Sequence, residues 1–365
     1  MINCSSPSSQ YKKYQSEIEK SVIGVMRSDN FVLGKEVLKI EKNFAKYIGV
    51  SNAIGVANGT DAIEIALRSL EIGIGDEVIT VSHTAVATVS AIESCGANPV
   101  LLDIDPNFYT LDHSQLDEVI TSRTKAIIVV HIYGQAADLN SIEKFCQKNK
   151  IFLIEDVSQA HGAKYHGKRL GSIGKIGCFS CYPTKNLGAI GDAGLLTTND
   201  EKLNKKIRMI REYGWENRVS HLPGRNSRLD EVQAAVLNVK LKYLDKDNEI
   251  RSKIAKKYFE AFNELPLTLP KIRPNAQHVF HQFVIQVENR KDFISYLNDK
   301  GIFPGIHYPI PIHSQPAYKN RISVGEIMTV SERLSKNIVS LPVYPELLKS
   351  EINEIIDAIL SYFKR

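Results

Sequence analysis

Ile176-Gly-Cys-Phe-Ser-Cys-Tyr-Pro-Thr-Lys-Asn-Leu-Gly-Ala-Ile-Gly-Asp-Ala-Gly194 is the stretch on which the reading of this chain turns. It starts as an apolar run of strand character and breaks at Pro183. It then presents Lys185, followed by Gly188, Gly191 and Gly194. Proline and closely spaced glycines force turns and let the backbone come close to a ligand. A lysine on such a loop, just past a buried strand, is placed for chemistry more than for solvation. Once desolvated, such an amine forms a Schiff base with a carbonyl compound. A lone loop lysine is otherwise an ordinary surface residue, so the rest of the chain has to decide.

Outward from this stretch run further β-branched segments: Val78-Ile-Thr-Val81, Pro99-Val-Leu-Leu-Asp-Ile104, Ala126 to Ile132, Ile151-Phe-Leu-Ile-Glu-Asp156 and Leu195-Leu-Thr-Thr198. Helical or turn-rich sequence separates them. Continuous apolar runs mark strands buried on both faces, as in a mostly parallel sheet with helices on each side. The fold class is therefore α/β. Nearer the start, Val37, Ile40, Phe44, Tyr47 and Ile48 have helical spacing, closed by Gly49. A short strand at Ala53–Ala57 leads into Asn58-Gly-Thr-Asp61 and a helical run from Ala62, with Thr60 or Asp61 expected as its cap.

Downstream, Glu231 to Asp247 and Lys253 to Asn263 read as helices, and Pro266, Pro270 and Pro274 then interrupt the chain. His281 to Val287 alternates, with Phe283, Ile285 and Val287 on one face, as a half-exposed strand does. Arg290–Lys300, Val330–Ile338 and Glu351–Phe363 read as helices. The expected organisation is a large domain over 1–249 with a helical N-terminal segment, and a smaller α/β domain over 250–365.

Composition narrows the function classes. The 365 residues are 43% hydrophobic and 24% charged, with a net charge of +5. That balance suits an anionic substrate and falls short of a nucleic-acid-binding face. No stretch approaches the roughly 18 apolar residues of a membrane span. Residues 1–20 are polar, so a signal peptide is not expected and a cytoplasmic location is. Five scattered cysteines read as reduced thiols. Cys178 and Cys181 form a C-x-x-C pair, but a redox or metal role needs a helix N-terminus or a second pair, so they read as two small residues on a strand. No metal site is expected.

Open α/β sheets bind ligands beyond the carboxyl ends of their strands. Asp156 ends one strand there, with Gln159 three residues on, and a buried acid at that position needs a cationic partner such as a protonated ring nitrogen. Asn58-Gly-Thr-Asp61 lies between strand and helix, where free N–H groups hold a phosphate. His83 can offer a flat ring to a planar ligand, and Ser180 a further hydrogen bond to phosphate. A phosphate cradle, a strand-end acid and a lysine in that order are jointly far from chance.

Gly59-Thr-Asp-Ala62, Glu155-Asp-Val-Ser-Gln-Ala-His-Gly-Ala163, Ser180-Cys-Tyr-Pro-Thr-Lys-Asn-Leu-Gly188 and Gly224-Arg-Asn-Ser-Arg-Leu-Asp-Glu-Val-Gln-Ala-Ala235 resemble the motifs of the DegT/DnrJ/EryC1/StrS family of pyridoxal-phosphate sugar aminotransferases. The resemblance covers nearly the whole chain. It implies the fold-type-I transferase architecture and a homodimer with active sites at the subunit interface. By motif, Lys185 would carry the cofactor and move the substrate proton, and Asp156 would pair with the pyridine nitrogen. Gln159 would contact the ring hydroxyl. Gly59, Thr60 and Ser180 would hold the phosphate, with Asn226 reaching in from the partner subunit. His83 would stack on the ring, where many members carry a larger aromatic residue.

Within the family, His83-Thr-Ala-Val-Ala-Thr88, His131-Ile-Tyr-Gly-Gln-Ala-Ala-Asp138 and His307-Tyr-Pro-Ile-Pro-Ile-His-Ser-Gln-Pro-Ala-Tyr318 are most similar to enzymes that aminate C3 of a dTDP-3-keto-6-deoxyhexose. The donor implied is L-glutamate, with the cofactor passing through its pyridoxamine form. Tyr182, His307, Tyr308 and His313 are then candidate sugar contacts. The alternatives are a C4 aminotransferase on a nucleotide-linked 4-keto sugar, and a regulator or scaffold retaining the fold. A dehydratase of this family is disfavoured, because those carry histidine where Lys185 stands.

Overall fold

Alternating residues of the central strands enter two different cores, so the sheet has to be covered on both faces. In the computed structural model, which describes residues 1–365, Ala126 and Ile128 join one buried cluster while Ile127 and Val129 join the other. This is the two-residue alternation of an extended chain. The strands are β1 (Asn52–Val56), β2 (Glu77–Val81), β3 (Asn98–Leu102), β4 (Thr124–Val130), β5 (Phe152–Asp156), β6 (Ile176–Ser180) and β7 (Gly194–Thr198). A separate pair is formed by β8 (Phe283–Gln286) and β10 (Ile338–Leu341), and β9 (Ser323–Val324) returns to the edge of the large sheet.

The large sheet has the order β9-β3-β2-β4-β5-β6-β7-β1. All pairings are parallel except those of β7, which runs antiparallel to both β6 and β1. The sheet is therefore mixed and mostly parallel, the α/β transferase architecture expected from the sequence. In the β6–β7 register Ser180 lies opposite Gly194, so the two ends of the lysine-bearing stretch meet at one rim.

Helices α1 (Lys35–Ile48), α2 (Gly59–Ser69), α3 (Val86–Ser94), α4 (Leu139–Asn149), α5 (Glu201–Ile210) and α6 (Glu231–Leu241) cover this sheet. The apolar stripes of α1, α4 and α6 enter one core through Phe44, Ile142 and Leu237. Those of α2, α3 and α5 enter the other through Ile63, Ile92 and Ile207. Cys178 and Cys181 sit in different cores, one on each face of the sheet.

The C-terminal part has its own core, including Tyr258, Phe262, Phe283, Phe293 and Ile355, beneath α7 (Leu244–Phe262), α8 (Arg290–Asp299) and α10 (Lys349–Tyr362). A fourth helix of this region, α9 (Thr329–Asn337), has its first N–H groups held by a distant side chain: Asp103, just past β3, accepts from the Val330 and Ser331 amides. Ile2–Asn3 pairs in parallel with Ile302–Phe303, so the first residues belong to this C-terminal body.

Several local expectations need correction. The cap of α2 is Asn58, not Thr60 or Asp61, because its extended backbone turns the side chain onto the Asp61 N–H. The helical stretch starting at Glu231 ends at Leu241, and α7 then runs unbroken past residue 249. Ile338 opens β10 instead of closing a helix. The β8 strand is buried on both faces: Phe283 and Ile285 enter the C-terminal core while Val284 packs against the large one.

Candidate active site

The carboxyl ends of β1, β5 and β6 and the start of α2 surround a cavity of about 480 Å³, inside the roughly 300–1,000 Å³ of small-molecule sites. Gly59, Thr60, Asp156, Gln159, Ser180, Tyr182 and Lys185 all line it, beside Thr88. Seven of the residues singled out in the sequence thus meet in one place. Two larger, more open clefts lie near Lys20 and near Lys150. In the first, Glu231 is spent on the Gly34, Glu36 and Val37 N–H groups of the α1 start. In the second, Asp200 is spent on Lys175 and on the start of α5.

The loop that carries Lys185 is fastened at several points. The Lys185 N–H donates to the Tyr182 carbonyl and the Ala189 N–H to that of Cys181. Asn186 donates to Asn248 and to the Val279 carbonyl, and its amide oxygen meets His281. Lys240, buried in α6, donates to the Gly188 carbonyl and to Gln10. Desolvation lowers the Lys185 amine to about 8, with the Asp156 carboxylate pulling the other way. The Lys185 side chain is partly open to the cavity and enters none of the chain's ion pairs or side-chain hydrogen bonds. An amine in that state is available as a nucleophile and as a base.

Two neighbouring carboxylates on β5 have opposite fates, because successive residues face opposite sides of a sheet. Glu155 is fully buried and saturated: it accepts from His131 Nε2 and from the Gly171, Ile173 and Gly174 N–H groups. The Ala137 N–H donates to His131 Nδ1, which puts the imidazole proton on Nε2. Burial raises the Glu155 carboxyl, yet the His131 bond and the backbone donors outweigh it and hold the group below its ordinary value. Asp156, 5% exposed, receives only the Ser158 N–H on Oδ1 and the Thr88 hydroxyl on Oδ2. No cationic side chain pairs with it, and a buried carboxylate without a cation is costly. The position calls for a cationic ligand atom.

At the opposite end of the cavity the α2 N-terminus is only partly satisfied. Asn58 takes the Asp61 N–H, leaving the Gly59 and Thr60 N–H groups and the Thr60 hydroxyl uncommitted. Arg225 neutralises Asp61, so the adjacent acid does not repel an anion. The Ser180 hydroxyl accepts from the Tyr182 N–H, and its own hydrogen stays free. A side chain at 59 would meet Ser180 Cβ at 2.5 Å, and one at 194 would meet the Asn58 carbonyl at 2.3 Å, so both positions require glycine. A helix N-terminus with free donors is an anion site.

Other expected residues are placed differently. His83 is 1% exposed and does not line the cavity. Tyr133 gives its hydroxyl proton to the His307 carbonyl and must therefore accept from His83 Nε2, leaving His83 Nδ1 buried without a partner. Desolvation lowers this imidazole to about 3. Gln159 is held at both ends, accepting from the Tyr133 N–H and donating to the Tyr308 hydroxyl. His307 Nδ1 meets Ser340, and His313 lies between Ser82 and Glu332. Residues 307–313 are thus laced along the rim without lining the cavity. Asn226 is exposed and takes no part in the cavity of its own chain.

Thr88 and Tyr133 were not foreseen. Both lie in segments singled out in the sequence only by resemblance, His83–Thr88 and His131–Asp138, with no role attached to either residue. Only the left-handed backbone of Tyr133 (φ 60°) turns it toward His83, Gln159 and His307.

A sequence profile described as the DegT/DnrJ/EryC1/StrS aminotransferase family matches residues 12–360. Among similar proteins is a dTDP-3-amino-3,6-dideoxy-alpha-D-galactopyranose transaminase of Aneurinibacillus thermoaerophilus, 45% identical over 96% of this chain and 96% of the relative. A pleiotropic regulatory protein of Geobacillus stearothermophilus is 41% identical over 98% of this chain and 97% of its own. The crystal structure of S. venezuelae DesV in complex with a ketimine intermediate superposes with a TM-score of 0.97 at 36% identity, covering 100% of this chain and 98% of that one.

Proposed function

The chain belongs to the DegT/DnrJ/EryC1/StrS aminotransferase family, and from that premise we propose that it moves the amino group of L-glutamate onto C3 of a dTDP-linked 3-keto-6-deoxyhexose. It is a pyridoxal-phosphate-dependent enzyme. The observation that carries the reading is the shared cavity of Lys185, Asp156 and the free donors of Gly59 and Thr60. An uncompensated carboxylate, a desolvated amine and an uncommitted anion cradle are what a phosphorylated pyridine aldehyde needs.

When bound, that cofactor supplies an electron sink for carbanion chemistry at the substrate carbon. The protein's residues do the rest. Gly59, Thr60 and Ser180 would hold the phosphate with their free donors, and Asp156 would hold the protonated pyridine nitrogen. Lys185, desolvated and partly open to the cavity, would hold the cofactor through its amine and serve as the base that takes and returns a proton at the substrate carbon. Tyr182, on the cavity wall, and Tyr308, which accepts from Gln159, would orient the sugar. His307 and His313 act by holding the 307–313 segment.

The choice of C3 and of a dTDP sugar is supported by the relative of A. thermoaerophilus, and the intact lysine and acid argue against a regulator or scaffold. We read the enzyme as a homodimer, supported by the exposed Asn226 and by exposed Met26, Phe31 and Val32. A cytoplasmic location is supported by the reduced cysteines and by the absence of a helix long and apolar enough to cross a membrane. The test is incubation with glutamate and dTDP-linked 3-keto and 4-keto sugars of both C4 configurations, followed by product NMR. A 3-amino product from the 3-keto sugar is expected, and a 4-amino product would replace this reading by the C4 one.

A further inference from the structure

Thr88 sits in the first turn of α3, is 1% exposed, and is followed by the apolar residues Val89, Ala91 and Ile92. A hydroxyl buried there costs free energy unless it is hydrogen-bonded, and valine would fill the same volume. Helical threonines commonly return the hydroxyl to the preceding backbone turn. Here it leaves its own helix and donates to Asp156 Oδ2 at 2.9 Å across 68 residues of sequence. The other oxygen, Oδ1, takes the Ser158 N–H at 3.1 Å. One donor on each oxygen fixes the plane of the carboxylate, and each oxygen keeps a lone pair for a ligand. Ser158 acts through its main chain and is insensitive to side-chain replacement. Thr88 is the adjustable half of the clamp, and it borders the same cavity as Lys185.

We propose that Thr88 is the positioning residue that aims the Asp156 carboxylate at the ring nitrogen of the cofactor. This rests on the pyridoxal-phosphate reading above. Without the hydroxyl only the Ser158 N–H holds the carboxylate, at one oxygen, so its plane is no longer fixed and it would meet the ring nitrogen less well aligned. Cofactor affinity then falls, and the proton on the ring nitrogen is held less well.

The experiment compares wild type, Thr88→Val and Thr88→Ser as apoproteins titrated with pyridoxal phosphate. Binding is followed by absorbance of the bound cofactor, whose pH dependence is recorded, and folding by circular dichroism. Thr88→Val should weaken binding about tenfold or more, the range for a hydrogen bond to a charged group. It should also shift the pH midpoint of the bound absorbance. Thr88→Ser, which keeps the donor, should restore both. If Thr88→Val does not fold, Thr88→Ala is read by the same two measurements. A valine variant that only melts earlier, with affinity and midpoint unchanged, overturns the role of Thr88 and leaves the parent reading standing. Wild-type protein that takes up no cofactor overturns both.

Discussion

Lys185 and Asp156 line one cavity without forming an ion pair, and neither is paired with any other charged side chain of the protein. A buried amine and a buried acid this close would ordinarily neutralise each other directly. Keeping them apart leaves room for a ligand that needs the amine at one point and the anion at another.

Replacing Lys185 by alanine should remove all but a trace of turnover, because no second amine lines the cavity. Borohydride treatment of wild type with pyridoxal phosphate should fix the cofactor on the peptide containing Lys185, read by mass spectrometry. Label found on Lys240 instead would sink the assignment.

Asp156→Asn keeps the shape but removes the charge, and with its one amide oxygen on the Ser158 N–H the Thr88 hydroxyl has to turn and accept from the amide NH2. Loss of one preorganised electrostatic group costs on the order of 10²–10³ in kcat. That drop is expected with little change in melting temperature, and an unchanged kcat would mean that the acid does not serve the ring nitrogen.

Cofactor capture should follow the free amine of Lys185, lowered by burial to about 8. Below that pH the ammonium dominates, so the rate at which apoprotein takes up pyridoxal phosphate should rise about tenfold per pH unit and level off above it. Stopped-flow absorbance on either side of pH 8 measures this. A rate still climbing steeply toward 10.5 would mean that the amine is not desolvated.

Glu155→Ala should leave the His131 Nε2–H and three backbone N–H groups without their acceptor, a loss of about 3–5 kcal/mol for breaking such a buried set. Because folding holds Glu155 below its ordinary value of 4.5, its contribution is fully present above that pH and fades as the pH falls through the lower, folded-state value. Urea unfolding at neutral and acid pH should show the wild-type advantage shrinking only in acid. An equal advantage at both would contradict the linkage.

Lys185, Asp156, Gly59 and Ser180 could be read from sequence because each ends, or follows within a few residues, a strand that is itself legible as an apolar run. Their common location then follows from the geometry of a parallel sheet. Thr88 and Tyr133 could not, since their roles depend on partners 68 and 174 residues away. Asn58 was missed as a cap because Thr60 and Asp61 carry equally suitable oxygens, and only the extended backbone at 58 decides among them. His83 offered a plausible flat ring, but its burial behind Tyr133 is a matter of tertiary packing.

Helix α7 begins with Leu244 in the core of the large sheet and ends with Tyr258 and Phe262 in the C-terminal core. Its 19 residues span about 28 Å at 1.5 Å per residue. Such a rod behaves as a strut shared by two buildings: the junction cannot fold there like a clamshell. Asn248 and Arg251, midway along the rod, hold the His161, Phe280 and Val343 carbonyls. Through Asn186, which donates to Asn248, the lysine loop is fastened to the same rod.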